Sequence, residues 1–410
     1  MDTATIRLTP ETALPELRRA AERLAPYVRR TPTVFSHSLS EATGQEVWLK
    51  LENLQRTGSF KIRGALNKVL SLPRERLERG LVAASAGNHA QGVALAARLA
   101  GARATIVMPL ATPIVKIQRT EGYGAEVVLH GASYDEAQTR AGEIATERGA
   151  TLVHPFDDEA ILIGQGTIGI ELLEDAEGLD AVVVPIGGGG LAAGMALAIK
   201  ARSPSTRVIG VQAAGAAPTV TAFRTGSPAR VAAPQTIADG IRVGVTGTIT
   251  LDIIRRTVDE CVTVEEDEIV DAVVQTMEKS KVVAEAAGVA GVAAILARKV
   301  GGARRVASVI SGGNIDLNLI ARILENGLER AGRIHHVRVR VADTPGQLAR
   351  LVGIVAHNQC NVLDVQHLRT GWQVPLGFVD IDLVVETRRS EAGHQLDAAL
   401  RAAGFTTPGG

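Results

Sequence analysis

Short apolar runs alternate with helical repeats along the first three quarters of the chain. Such runs are typical of parallel strands buried on both faces, and the segments between them are typical of the covering helices. From residue 80 to 153 the predicted strands are Leu81–Ala84, Thr105–Met108, Glu126–Leu129 and Leu152–Val153, and the predicted helices are Asn88–Ala100, Ile114–Gly122 and Tyr134–Arg148. A second set of strands is predicted at Val182–Pro185, Val208–Gln212 and Arg305–Ile310. We therefore expect two α/β lobes, with a ligand where strand ends meet helix starts.

Three elements are predicted before the first set. Thr9 and Pro10 are suited to cap and start a helix that runs to about Ala25. Gln45–Leu51 alternates apolar and polar residues and predicts a strand, which leads into a loop and a helix that begins near Lys61.

The pattern changes after Gly332 to strict alternation, which predicts strands with one wet face. Val337, Val339 and Val341 alternate with polar or small residues. A helix follows, for which we expect Thr344 as the N-cap and Pro345 as the first helical residue. Further strands are predicted at Asn361–Leu368 and Phe378–Val385, and a last helix at Gln395–Ala403.

Composition favours an enzyme of small molecules over a nucleic-acid binder. Basic and acidic residues both number 44 and aromatic residues make up 3%, so neither a basic surface nor a stacking surface is indicated. Cys261 and Cys360 have no metal-like spacing, so we expect buried free thiols and no metal site. The uncharged window Ala181–Ile199 contains Pro185 and four glycines, which favours a strand, a turn and a helix over a membrane span. No signal-like stretch begins the chain, so a cytoplasmic location is expected.

Four short stretches carry candidate chemistry. Lys61 lies in the phrase Gly58–Ala65, and a desolvated lysine amine is a nucleophile toward aldehydes, although most single lysines are simply solvated. Three glycine-containing loops follow predicted strands, and each could be an ordinary tight turn or a place where backbone N–H groups bind an anion. These loops are Ser85–His89, Gly187–Leu191 and Ser311–Asn314.

Together, and with the phrase Lys50–Lys61, the four stretches resemble the threonine dehydratase branch of the fold-type II pyridoxal-phosphate enzymes, over about the first 330 residues. The resemblance implies a two-lobed, tryptophan synthase β-like domain at residues 1–330, with a larger lobe at 1–75 and 155–330 and a smaller lobe at 76–154. We expect a homodimer or homotetramer, and the composition and the glycines at residues 187–190 predict no nucleic-acid or membrane partner.

The same resemblance implies the residue roles. Lys61 would hold the aldehyde of pyridoxal 5'-phosphate and then act as the catalytic base, and the other cofactor-binding residues would be Phe60, Asn88, Gly187, Gly188, Gly189, Gly190, Leu191, Gly240 and Ser311. The substrate would meet Ser85, Ala86, Gly87, Asn88, His89 and Glu285. For Gly240 and Glu285 the phrases are short, and a polar turn and a buried helix-start carboxylate are the ordinary alternatives.

The C-terminal pattern, over about residues 333–407, resembles an ACT domain, an α+β module of βαββαβ order that senses small molecules. The resemblance implies a regulatory domain at residues 333–410 with an amino-acid effector, isoleucine or valine, bound near Asp343, Gly346 and Gln347. The alternative is that this turn only begins a helix and the domain only oligomerises.

The reaction implied is β-elimination from L-threonine to 2-oxobutanoate and ammonia, with L-serine giving pyruvate, in isoleucine biosynthesis or threonine catabolism. The alternatives are a serine racemase, a serine dehydratase, a 3-hydroxyaspartate dehydratase and a non-enzymatic amino-acid sensor that binds the cofactor. Ala86 disfavours racemisation, because the related racemases place a serine there as the acid on the second face.

Overall fold

The computed structural model describes residues 8–369, 374–388 and 390–406 of the chain. The chain divides into two compact units, residues 1–315 and 316–410. The helix at Leu317–Arg330 therefore groups with the second unit by its packing. The predicted functional boundary near residue 330 stays a prediction.

The first unit contains a six-stranded sheet in the order β1-β2-β10-β7-β8-β9. All neighbouring pairs are parallel except β1 and β2. The strands are β1 (Thr33–Phe35), β2 (Glu46–Leu51), β7 (Ala181–Pro185), β8 (Arg207–Ala213), β9 (Glu260–Val264) and β10 (Arg305–Ile310).

A second sheet of four parallel strands has the order β5-β4-β3-β6. Its strands are β3 (Leu81–Ala84), β4 (Ala104–Met108), β5 (Glu126–Leu129) and β6 (Thr151–Leu152). The predicted strands and helices of this segment are confirmed to within two residues at most ends. Every residue of β3 and β4 is buried, which is why these strands appear in the sequence as apolar runs.

Thirteen α-helices, among the described residues of the first unit, surround the two sheets. They are α1 (Pro10–Leu24), α2 (His37–Thr43), α3 (Lys61–Leu70), α4 (Arg74–Arg79), α5 (Asn88–Leu99), α6 (Ile114–Glu121), α7 (Tyr134–Arg148), α8 (Glu159–Asp175), α9 (Gly190–Arg202), α10 (Pro218–Thr225), α11 (Thr248–Thr257), α12 (Glu266–Ser280) and α13 (Ala290–Leu296). The predicted start of α1 is confirmed, because the Thr9 side chain accepts a hydrogen bond from the backbone N–H of Thr12.

The uncharged window Ala181–Ile199 forms β7, a glycine turn and the buried helix α9, as predicted. Among the described residues, no helix combines the length and the apolar character that a membrane span requires. Cys261 and Cys360 are buried and not disulfide-bonded, which confirms the expectation of free thiols.

The second unit contains a three-stranded antiparallel sheet in the order β11-β13-β12. Its elements are α14 (Leu317–Arg330), β11 (Ile334–Ala342), α15 (Gln347–His357), β12 (Asn361–Leu368), β13 (Phe378–Glu386) and α16 (Ser390–Ala402). Thr406 adds an isolated antiparallel bridge to Arg340 on β11. This bridge is all that the described residues show of the last strand in the predicted βαββαβ order.

The predicted start of α15 is wrong. Gly346 occupies the N-cap position without a side-chain hydrogen bond, and Gln347 is the first helical residue. Thr344 and Pro345 belong to the preceding turn, where the Thr344 hydroxyl accepts a hydrogen bond from Gln347 Nε2. The Thr-Pro pair therefore signalled the turn correctly and misplaced the helix by two residues.

Candidate active site

Lys61 is the first residue of α3, and its side chain is half-buried, with the amine at the inner end. Its Nζ donates a hydrogen bond to the carbonyl oxygen of Pro155 at 3.0 Å and lies 5.2 Å from the centre of the Phe60 ring. Among the described residues, no carboxylate forms an ion pair with this amine. A carbonyl partner leaves the amine without a fixed countercharge.

Burial lowers the pKa of Lys61 to about 8, and the negative charge of Glu285 opposes part of this shift. A pKa of about 8 makes roughly a tenth of the amine neutral at pH 7, far more than for an ordinary lysine. The neutral form is the one that attacks a carbonyl carbon or accepts a proton. The site thus favours the chemistry predicted for Lys61.

The four glycines Gly187 to Gly190 connect the end of β7 to the first turn of α9. A Cβ atom at Gly188 would lie 2.3 Å from the ring of Phe156, so the turn is packed too closely for any side chain. The first amide groups of α9 have no partner within the helix and can bind an anion. The Leu191 side chain is buried in the apolar core, so only its backbone N–H is suited to that role.

Residues 155 and 156 bring the amine and the glycine turn together. Pro155 accepts the hydrogen bond of Lys61, and the adjacent Phe156 packs against Gly188. The amine and the glycine turn therefore contact adjacent residues of one short segment. Both are close enough to this segment for a role at one site to be considered.

The loop from Ser85 to His89 joins β3 to α5. Asn88 is the first residue of α5, and its Nδ2 donates a hydrogen bond to Glu285 Oε1 at 2.8 Å. Ser85 Oγ accepts a hydrogen bond from the Gly87 N–H. Ser85, Ala86, Gly87 and Asn88 are all partly exposed, as a substrate-binding loop requires.

His89 differs from the rest of this loop because its side chain is buried. Its Nε2 lies 2.9 Å from the carbonyl oxygen of Val153. Burial and the nearby charge of Lys61 lower the pKa of His89 to about 3, so the ring is neutral at physiological pH. The side chain thus anchors the loop to the end of β6, and any contact of His89 with substrate involves its backbone.

The Ser311 loop is bonded directly to the segment that carries Lys61. The N–H of Phe60 donates to the carbonyl oxygen of Ser311 at 3.1 Å, and Ser59 pairs with Gly312 as an isolated bridge. The N–H of Glu285 donates to the carbonyl oxygen of Gly312 at 3.0 Å. Lys61, Ser311 and Glu285 are therefore held on mutually bonded backbone segments.

Glu285 is a buried carboxylate beside the site. Burial raises the pKa of Glu285 to about 7, with a further rise from the charge of Asp239 and opposing effects from the Asn88 hydrogen bond and from Lys116 and Lys61. Gly240, the other candidate from a short phrase, packs against Glu285 and presents its carbonyl to Gly187. Both residues therefore border the site, and their predicted binding roles stay predictions.

Three residues at the site received no role from the sequence. Pro155 and Phe156 contact the amine and the glycine turn, and no pattern in the sequence signalled either contact. Asn314 donates to Asn88 Oδ1 at 2.8 Å. The sequence did offer one signal for Asn314, because this polar residue ends a glycine-rich loop that follows a buried strand.

The regulatory candidates belong to the second unit. Asp343, Gly346 and Gln347 all lie at the turn between β11 and α15, as predicted. Asp343 Oδ1 lies 3.2 Å from a guanidinium nitrogen of Arg369.

Comparison with known proteins assigns the chain to a class. Residues 24–312 match the family described as pyridoxal-phosphate dependent enzymes. The chain belongs to this family.

Individual relatives include enzymes of known activity. The chain is 47% identical to an L-threonine ammonia-lyase of Thermotoga maritima over 96% of this chain and 98% of that protein. A solved threonine deaminase, the processed form of isoform 2 from Solanum lycopersicum, superposes with a TM-score of 0.73 at 35% identity, covering 77% of this chain and 88% of that chain. A serine racemase from maize superposes with a TM-score of 0.73 at 36% identity, covering 77% of this chain and 98% of the racemase chain.

The residues present fit pyridoxal phosphate. An enclosed amine without a countercharge is suited to bind an aldehyde, and the close-packed glycine turn at the start of α9 is suited to bind a phosphate. The Asn88 amide, beside Glu285, offers a further hydrogen-bond donor. Lys61, the glycine turn and Asn88 are therefore the residues that would hold the cofactor.

Proposed function

We propose that this chain is an L-threonine ammonia-lyase that converts L-threonine to 2-oxobutanoate and ammonia, and L-serine to pyruvate and ammonia. The observation that carries the proposal is the enclosed Lys61 amine, which has no carboxylate partner among the described residues and lies beside the glycine turn. The 47% identity to the Thermotoga maritima enzyme over nearly the whole chain supports the choice of substrate.

The cofactor, when bound, supplies a ring that withdraws electrons from the α-carbon of an amino acid. The protein supplies the base: Lys61, once released, has a pKa low enough to accept the α-proton near neutral pH. The Ser85 to Asn88 loop, which opens at the N-terminus of α5, supplies backbone donors for the substrate carboxylate.

The overall reaction is balanced without an oxidant. Lys61 takes the α-proton, and this proton leaves with the β-hydroxyl as water, which returns Lys61 to its neutral form; the released enamine then takes up water and loses ammonia. A serine at the position of Ser311, rather than a carboxylate, does not hold a proton on the ring nitrogen. The ring then withdraws electrons less strongly, which favours departure of the β-hydroxyl over transamination.

The second candidate is a serine racemase, which the likeness to the maize enzyme favours. Racemisation needs an acid on the face opposite Lys61, and the predicted position holds Ala86, which has no proton to give. We expect Ala86→Ser to gain racemase activity, measured as D-serine formed from L-serine. A variant that gains none would remove this argument against the racemase. Serine dehydratase, 3-hydroxyaspartate dehydratase and a cofactor-binding sensor remain as alternatives that substrate assays distinguish.

We propose further that the second unit is an ACT domain, at residues 333–410, which binds an amino-acid effector. Its support is the sheet order β12-β13-β11 with the Thr406 bridge on the far side of β11, together with one helix after β11 and one after β13. Asp343, Gly346 and Gln347 lie together at the turn where the effector is expected. A homodimer or homotetramer, a cytoplasmic location and a role in isoleucine biosynthesis or threonine catabolism complete the proposal.

The decisive experiment is steady-state kinetics of the full chain with L-threonine and L-serine, with and without isoleucine or valine. We expect keto acid from both substrates, a higher kcat/KM for threonine, and a change in activity with one of the two effectors. A colourless protein that forms no keto acid with added pyridoxal phosphate would overturn the lyase. Unchanged kinetics, together with no heat of binding for either amino acid, would overturn the regulatory proposal alone.

A further inference from the structure

Two side chains hold the Asn88 amide from opposite sides. Asn88 Nδ2 donates to Glu285 Oε1 at 2.8 Å, and Asn88 Oδ1 accepts from Asn314 Nδ2 at 2.8 Å. Glu285 is fully enclosed, while Asn88 and Asn314 are partly exposed. The amide is therefore bonded at both of its polar atoms by protein groups before any ligand arrives.

The direction of these hydrogen bonds is determined by chemistry. Asn314 Nδ2 also donates to the carbonyl oxygen of Thr57 at 2.6 Å, and a carbonyl oxygen can only accept. The nitrogen of Asn314 must face Thr57, so its second hydrogen points to Asn88 Oδ1. Because Asn88 Oδ1 accepts from Asn314, the nitrogen of Asn88 faces the other way and donates to Glu285 Oε1. The chain of donors thus runs in one direction, from Asn314 to Glu285.

This arrangement leaves one hydrogen of the Asn88 amide without an acceptor in the part of the chain that the structure describes. A buried or half-buried amide hydrogen normally finds a partner. The close approach of Gly312 limits other arrangements, because a Cβ atom there would lie 2.3 Å from Glu285 Oε1 and 3.3 Å from Asn88 Nδ2. Because Asn88 is partly exposed, the remaining hydrogen is open to an acceptor from outside the protein, such as a bound ligand.

We propose that Glu285 and Asn314 are positioning residues that fix the orientation of the Asn88 amide and so hold one of its hydrogens toward an acceptor oxygen of bound pyridoxal phosphate. Asn314 thereby gains a role, and Glu285 acts through Asn88 instead of on the substrate. The inference depends on the cofactor of the family, and it is independent of which amino acid the enzyme converts.

Cofactor binding tests the proposal without turnover. Apo-protein is titrated with pyridoxal phosphate, and the dissociation constant and the absorption maximum of the bound form are recorded. Asn314→Asp replaces the donor by an acceptor, and Glu285→Leu removes the acceptor. We expect each to weaken binding about tenfold and to shift the absorption maximum, since one hydrogen bond to a charged group is at stake. Glu285→Gln keeps an acceptor oxygen and should stay within about threefold of wild type.

A double-mutant cycle with Asn88→Ala separates positioning from general damage. If both residues act through Asn88, neither Glu285→Leu nor Asn314→Asp should weaken binding more than about twofold further in that background. Asn53→Asp is the matched control, because Asn53 Nδ2 donates to the Val283 carbonyl at 2.9 Å and the same chemical change occurs nearby. It should retain the affinity and absorption maximum of wild type.

Two results would overturn the proposal. One is wild-type affinity and absorption in both Asn314→Asp and Glu285→Leu; the other is a full additional loss for either residue in the Asn88→Ala background. Thermal unfolding of each apo-protein identifies a variant that fails to fold. In that case Glu285→Gln and the remaining folded variant decide through the shift of the absorption maximum, which a loss of stability alone does not move.

Discussion

Two lysines close together in the sequence, one fully buried and one half-buried, have different surroundings. Lys50, on β2, is fully buried, and its Nζ lies 2.8 Å from Glu171 Oε2 and 3.3 Å from Asp175 Oδ2 and donates to the Thr31 carbonyl at 2.7 Å. Lys61, on α3, has the Pro155 carbonyl as its only hydrogen-bond partner among the described residues. The two sites place the same side chain among carboxylates in one case and without a paired carboxylate in the other.

The Lys50 region is a closed network of charges. Arg63, 1% exposed, donates to both carboxylate oxygens of Glu52 and of Glu171 at distances from 2.7 to 2.9 Å. Each cation there has carboxylate partners that offset the cost of burial. No such partner faces Lys61 in the described part of the chain, so the cost appears instead as a lowered pKa of its amine. The base chemistry proposed for Lys61 therefore depends on the absence of a paired carboxylate, since that absence keeps the pKa of its amine low.

The largest expected effect comes from Lys61→Ala. Removal of the amine takes away both the group that binds the aldehyde and the base, so kcat should fall by about a thousandfold or more. The visible absorption band of the cofactor bonded to lysine should disappear. Keto-acid formation and absorption spectra measure both. Turnover within tenfold of wild type would show that another group is the base.

The next largest effect should come from Lys50→Met, and it should be on stability. Loss of one partner from a buried ionic network costs about 3 kcal/mol or more, and Lys50→Met takes from Glu171 and Asp175 the buried cation that they share. Urea unfolding measures this loss. The absorption band of the cofactor should survive in the folded protein, in contrast to Lys61→Ala.

Arg30→Met is the control for Lys50→Met. Arg30 pairs with Asp175 and Glu174, but its side chain is 54% exposed. Removal of the Arg30 charge should lower the unfolding free energy by less than about 1 kcal/mol. If the two variants lost equal unfolding free energy, burial would add nothing to the stability of the network near Lys50.

A smaller effect is expected in the pH dependence of stability. Burial lowers the pKa of Lys61 to about 8 from an ordinary value of 10.5. Between these values the unfolded chain binds more protons at this lysine than the folded apo-protein does, so its contribution to the unfolding free energy rises with pH. Below pH 8 both states are protonated, and the full cost of burying the charge remains.

The variant Lys61→Met isolates this contribution. Its gain in unfolding free energy over wild-type apo-protein should be greatest below pH 8, on the order of 1 to 2 kcal/mol, and should shrink as pH rises to 10.5. Urea unfolding of both proteins at pH 7.5 and 10 provides the measurement. A difference that does not change with pH would mean that Lys61 keeps an ordinary pKa.

Much of the fold could be predicted because its strands are buried on both faces. Leu81–Ala84 and Ala181–Pro185 are continuous apolar runs, and a run of that kind has one interpretation when a helical repeat follows. Short or mixed strands gave no such signal. Thr33–Phe35 and Glu260–Val264 lie at the two edges of the larger sheet, where partly exposed residues replace the apolar run.

The site was predictable only as far as local phrases reach. Lys61 and Gly187 to Gly190 stand in short motifs, and the predicted loops lie where strands end. Lys50 appeared in the sequence as the polar half of an alternating strand, yet it is fully buried, because its partners Glu171 and Asp175 lie on α8, far along the chain. The Asn314 bond to Asn88 is equally distant in sequence. Pairings of this kind have no local signature.

The smallest effect is expected from a third cation, Lys116, which links α6 to the segment that precedes α11. Its Nζ lies 2.8 Å from Asp239 Oδ2, and both side chains are partly exposed, at 27% and 45%. Because solvent screens the pair, Lys116→Met should lower the unfolding free energy by less than about 1 kcal/mol, and less still in 1 M salt, where screening acts over about 3 Å.

Arg74→Met, which removes a pair with Glu78 within one exposed helix, is the matched control in the same urea titrations. If both variants lose a similar small amount of unfolding free energy, burial of the pair, and not pairing alone, distinguishes Lys50 from an ordinary surface cation. A loss of about 3 kcal/mol for Lys116→Met would contradict this view, because an exposed pair would then match the effect expected for Lys50→Met.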